Sequence, residues 1–243
     1  MINFIDVIPL AGALLTILVM VGLAFRAQTV STADYFLLFF LSICFFSLVH
    51  RFLTHSGYIA EYPHLLKVNH LLGILRPPLF FLYVYFAIHP TPRRSIVHGL
   101  HFLPFMALLG FLFPYLILRA GAKIDISHGE GADPSRLPPW YFYLGIVYSI
   151  VYLFLSIRIF LTASQIPNYL RPATSRWIRF LLAADGAFIL GAILILLIPK
   201  PGDWELLAYH IMTFTMGIGC VVLVANMNKH ITEVVRSKRS APD

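Results

Sequence analysis

Residues 35–53 read YFLLFFLSICFFSLVHRFL, nineteen positions whose one Asp, Glu, Lys or Arg is Arg51, close to the far end. The run is too long for a buried strand and matches the roughly 20 residues that carry a helix through a hydrocarbon core of roughly 30 Å. It lacks the polar/apolar alternation of an outer-membrane barrel strand. An unbroken helix satisfies its own backbone in lipid, so a helical span is expected.

Six further blocks of this kind flank it. Hydropathy, with Pro, Gly and charge as punctuation, predicts helices near Ile5–Phe25, Tyr35–Leu53, Leu65–Ile88, His98–Arg119, Trp140–Ala163, Arg176–Ile198 and Glu205–Met227. The composition agrees: 59% of the 243 residues are apolar and 12% are charged, against roughly a quarter charged in soluble domains. The expected fold class is therefore an all-α integral membrane protein. One seven-helix transmembrane domain occupies residues 1–227, and a basic tail follows at 228–243. The connection from Ala120 to Pro139, AGAKIDISHGEGADPSRLPP, reads as a solvated loop. The N-terminus lacks the basic leader of a cleaved signal peptide, so the first block is expected to be retained.

Charge sets the expected orientation. Arg26, Arg93, Arg94, Arg158, Arg171, Arg176, Arg179, Lys229, Arg236, Lys238 and Arg239 fall on one side, with only Asp34, Glu233 and Asp243 as acids. The other side holds six basic residues and seven acids. Basic loops stay cytoplasmic, which predicts N-terminus outside and C-terminus inside. Arg76 and Asp185 cancel, so the net +7 divides into +8 inside and −1 outside. The charge follows from topology, and no direct nucleic-acid binding is implied, since the basic residues are spread over several loops.

Arg76 in the third block and Asp185 in the sixth are ionisable groups near mid-depth, and such residues are functional candidates by default. They are open to pairing, either as a switch or as a fixed packing element. Asp185 sits opposite the small-residue row Ala183, Ala187 and Gly191 on its helix, a row suited to close helix contact. Pro77 and Pro78 follow Arg76 and remove the donors that would serve the carbonyls of Gly73 and Ile74, so a kink is expected there. Of ten histidines, His50, His55, His64, His70 and His210 fall towards the outer half. With Glu61 and Glu205 nearby they offer a pH-sensitive cluster or a metal set of His50, His70 and His210, although none has close ligand spacing on a helix. Interfacial or packing roles are the competing reading. Tyr58, Tyr62, Trp140, Tyr141, Tyr143, Trp204 and Tyr209 read as belt aromatics. Cys44 and Cys220 lie in apolar helices as small buried thiols.

Three seven-helix functions differ in what they require. A retinal protein needs a Lys inside the last helix, whereas Lys200 precedes it and Lys229 follows it. Zinc-dependent membrane hydrolases carry an HxxxH pair there, whereas His210 is followed four residues later by Phe214. A transporter would show paired broken helices, and only the third block is strongly broken. Walker, dinucleotide-loop and nucleophile-elbow motifs are not found. No cofactor is implied.

The stretch HSGYIAEYPHLLKVNHLLGILRPPLFFLYVYFAIHPTPRR, followed by HGLHFLPFMALL, resembles the N-terminal membrane module of bacterial AraC-type transcription regulators. The matching elements are Tyr62-Pro63-His64, Pro77-Pro78-Leu79 with Leu82-Tyr83, the basic turn Arg93-Arg94, His101-Phe102-Leu103-Pro104-Phe105, and Trp177 among basic residues. In that family a Gly usually precedes the first Pro, and here Arg76 takes its place. The resemblance implies a seven-helix sensor in the bacterial inner membrane that binds a small apolar or amphipathic ligand and regulates transcription, with two-fold assembly. Only sixteen residues, NKHITEVVRSKRSAPD, follow Met227. They are too few for the family's helix-turn-helix units, so this chain is not expected to bind an operator itself. Ile231, Val234 and Val235 share one face of a short basic helix in that tail, which is open to contacting the inner leaflet or a cytoplasmic partner. A metal-assisted lipid hydrolase and a non-catalytic assembly subunit are the other classes.

Overall fold

A computed structural model describes residues 4–25, 31–89, 97–127, 137, 140–164 and 172–197. These residues are about 90% helical, with no strand among them. The long helices are α1 (Phe4–Phe25), α2 (Thr32–His55), α8 (Trp140–Ser164) and α9 (Pro172–Leu197). Between α2 and α8 the chain is broken into shorter pieces. Two 3-10 turns, Tyr58–Glu61 and Pro63–Leu65, lead into α3 (Val68–Gly73) and α4 (Arg76–Ile88); then come α5 (Val97–Leu100), α6 (Leu103–Leu116) and α7 (Ala120–Ser127).

Among the described residues, three helices are long and apolar enough to cross a membrane, or five if each of two bent pairs is one span. The expected seventh block, 205–227, and the tail lie outside the described residues.

Packing places α4 at the centre. Its residues from Arg76 to Val84 are all buried, with Leu82 and Val84 at 0% exposure, and a helix apolar all round belongs inside a bundle. It packs chiefly on α2 and α8, and α8 packs on α9. Ring pairs lock these faces: Phe40 meets Phe80 at 5.4 Å, Phe36 stacks on Phe86 at 5.1 Å, and Phe81 meets Tyr152 edge-on at 5.7 Å. Large apolar side chains are exposed elsewhere, among them Leu14, Phe39, Phe113, Ile117 and Phe154. Hydroxyls on the spans bond back to their own helices: Ser42 to the Leu38 carbonyl at 2.8 Å and Ser156 to the Tyr152 carbonyl at 2.8 Å. That satisfies each polar group without water.

Several boundaries differ from the sequence reading, each for a local reason. α2 begins at Thr32 because Ser31 and Asp34 form a reciprocal capping box, Ser31 Oγ accepting from the Asp34 amide at 3.2 Å and Asp34 Oδ2 from the Ser31 amide at 2.9 Å. The block at 65–88 is two helices bent by 45°. The block at 98–119 is interrupted at His101-Phe102, where Pro104 starts α6. The segment read as a solvated loop opens with α7, which turns 103° from α6 and packs on the turn Pro63–Leu65. The row Ala183, Ala187, Gly191 is not a uniform contact stripe: Ala183 and Ala187 are exposed and Gly191 is buried. α9 instead approaches α8 at Gly186, where an added Cβ would meet Leu153 at 3.7 Å.

Candidate functional site

Pro77 and Pro78 occupy the first turn of α4, where an amide donor has no intrahelical acceptor and the fixed proline φ suits helix initiation. The helix therefore restarts there, and the expected kink is realised as a break. Leu75 sits in the gap, its amide bonded to the Leu72 carbonyl at 3.0 Å and its carbonyl accepting from the Leu79 amide at 3.1 Å. Arg76 is thus the first residue of a buried helix, held at an elbow of the backbone.

Its side chain reaches α9. Arg76 Nη2 donates to Asp185 Oδ1 at 3.2 Å, with the two side chains 11% and 9% exposed. One turn beyond Asp185, the Phe188 ring lies under the guanidinium, Cζ standing 3.4 Å from the ring centre. Each charge would be costly alone in this setting; together they neutralise one another, and the ring face adds a cation–π contact. The bond is single and long for a charge-assisted contact, which forms at about 2.7–2.9 Å and is often a two-pronged fork for Arg. Because α9 packs chiefly on α8, this bond ties α9 directly to the α3–α4 elbow.

The histidines do not join that pair. His70 lies on α3, its carbonyl accepting from Tyr141 Oη at 3.3 Å and its ring 5.9 Å from that of Phe142. His50 lies on α2, which is pinned to α3 one turn earlier by Ser47 donating to Asn69 Oδ1 at 2.8 Å. His50 Nε2 is buried and has no hydrogen-bond partner among the described residues. Among the described residues no group of three or more His, Cys, Asp or Glu side chains gathers to hold a metal. His210 lies outside the described residues. His64 and Glu61 are exposed on the 3-10 turns.

Two clusters carried no spacing signal in the sequence. At the break before α6, His101 Nδ1 bonds Tyr152 Oη at 2.8 Å and Tyr148 Oη donates to the His101 carbonyl at 3.3 Å, so two tyrosines of α8 hold the half-buried turn. At the α6–α7 elbow, Lys67 and Lys123 both approach the ring of Tyr115. In the sequence Lys67 and Lys123 count only among the six basic residues of the expected outer side, and nothing in their spacing announces a shared aromatic.

Comparison with protein-family models, with curated proteins and with solved structures finds no match.

Proposed function

We propose that this chain is a seven-helix sensory module of a bacterial inner membrane, N-terminus outside and C-terminus cytoplasmic, resembling the membrane module of AraC-type regulators. It binds a small apolar or amphipathic ligand and passes the signal to transcription through a cytoplasmic partner that contacts residues 228–243, acting as a homodimer. The observation that carries this reading is the buried Arg76–Asp185 bond at the backbone elbow. In this reading the single 3.2 Å contact between a broken helix and a second helix is made in one state of the sensor and parted in the other. A ligand that favours one state by differential affinity moves the equilibrium, and through α9 the chain that follows it.

The test is transcript profiling of strains carrying the wild-type gene, its deletion, Arg76→Leu, Asp185→Leu and the double variant. Each single variant is expected to shift the transcripts that the deletion shifts. If the deletion moves transcripts and none of the variants does, the pair is a packing element and the switch is wrong. If the deletion moves none, the sensor reading falls.

A second reading, a metal-assisted lipid hydrolase, draws on the bare His50 Nε2. Stoichiometric zinc in protein purified without added metal would put it first.

A further inference from the structure

The α3–α4 elbow leaves one backbone acceptor without a donor. In a continuous helix the Ile74 carbonyl would take the amide at position 78, and in a tighter 3-10 turn the amide at position 77; both residues are proline and have none. The next amide along, that of Leu79, goes to the Leu75 carbonyl at 3.1 Å. Carbonyls earlier in the same segment are served: Leu72 accepts from the Leu75 amide at 3.0 Å, and His70 from Tyr141 Oη at 3.3 Å. Among the described residues nothing donates to Ile74. A carbonyl left bare at the depth of an apolar span is costly, because lipid has no donor to give it.

The elbow is also open. Gly73 is exposed, and a Cβ placed on it would meet no atom within 4 Å. Ile74 is half-buried, and Phe105 and Leu109 of α6 pack in the same apolar cluster. A guest entering beside Gly73 therefore finds one acceptor and an apolar wall. The guanidinium of Arg76, two residues on, is already balanced by Asp185 and leaves no charge for an ionic head group to answer. A carboxylate or phosphate ion has no proton to give a carbonyl. An uncharged hydroxyl on an alkyl chain suits both the acceptor and the wall.

We propose that the elbow binds an amphipathic alcohol, its hydroxyl donating to the Ile74 carbonyl and its alkyl chain lying against Phe105 and Leu109. This names the ligand class of the sensor reading and rests on that reading for any effect on transcription. Binding is measured without transcripts, so either can fail alone.

The test is thermal unfolding of the full purified chain in detergent, titrated with dodecanol and with methyl undecyl ether, which matches it in length and keeps the oxygen but not the donor. Dodecanol should bind about fivefold more tightly than the ether, the worth of one hydrogen bond. Pro78→Ala returns an amide to the Ile74 carbonyl and should erase that difference. Gly73→Leu fills the open side and should weaken both. Dioleoylglycerol carries a hydroxyl on a bilayer lipid: tighter binding of it assigns the site to a membrane lipid, tighter binding of dodecanol to a free alcohol, and both support the proposal. Alcohol and ether binding alike to the wild type, or not at all, overturns it, as does a preference that survives Pro78→Ala. Should Pro78→Ala fail to fold, Gly73→Leu decides: a loss of dodecanol affinity supports the proposal, and wild-type affinity overturns it.

Discussion

Arg76 and Asp185 stand out in the sequence because charge inside an apolar block is expensive, and no tertiary information is needed to see that. Their pairing is a different matter. It depends on α9 meeting the α3–α4 elbow at the level of Asp185, and on Phe188 closing the far side of the guanidinium. The pair yields an asymmetric expectation. Asp185→Leu should destabilise the protein by about 3–5 kcal/mol, because it strands a buried guanidinium, whereas the Arg76→Leu, Asp185→Leu double variant should recover most of that loss. Thermal unfolding of the three proteins in detergent measures it. Equal losses in the single and double variants would mean that Arg76 finds another acceptor once Asp185 is gone. Phe188→Leu removes only the ring face, and should cost about 1–2 kcal/mol in the same assay.

At the scale of the element, apolar blocks were legible and their interruptions only partly so. Pro77-Pro78 announces a break, since two missing donors leave two carbonyls unserved. The turn of α7 away from α6 does not announce itself: AGAKIDI has the Gly and charge of a loop, and its helix rests on packing against the turn Pro63–Leu65, a tertiary contact that overrides weak local preference. The same holds at His101, where the reading placed continuous helix and the structure anchors a turn to Tyr152 and Tyr148. Two element-scale tests follow. Pro77→Ala with Pro78→Ala restores donors to the Gly73 and Ile74 carbonyls, and should straighten the 45° bend; spin labels at exposed His64 and exposed His98-adjacent Leu100 would report a longer separation. Tyr152→Phe deletes the Oη partner of His101 and should cost about 1 kcal/mol in thermal unfolding. If it is neutral, the His101 turn is held by Tyr148 and the Phe81 ring alone.

For the whole molecule, the open quantity is how many times the chain crosses the membrane, and charge and span count make one joint prediction about it. Asp125 is exposed on α7, after the first four expected blocks, and Ser240 lies in the tail, after all seven. An odd number of crossings separates them only if the block 205–227 crosses along with those at 140–163 and 176–198. Orientation comes separately, from the +8 and −1 division of charge, because translocation discriminates against Lys and Arg in short loops. In a chain with Cys44→Ala and Cys220→Ala, a cysteine at Asp125→Cys should react with a membrane-impermeant maleimide on intact cells. One at Ser240→Cys should react only after permeabilisation. Both residues labelling from outside would remove the last crossing, and with it the proposed route from the Arg76–Asp185 bond to the cytoplasm. The reverse pattern would keep seven crossings and invert the protein.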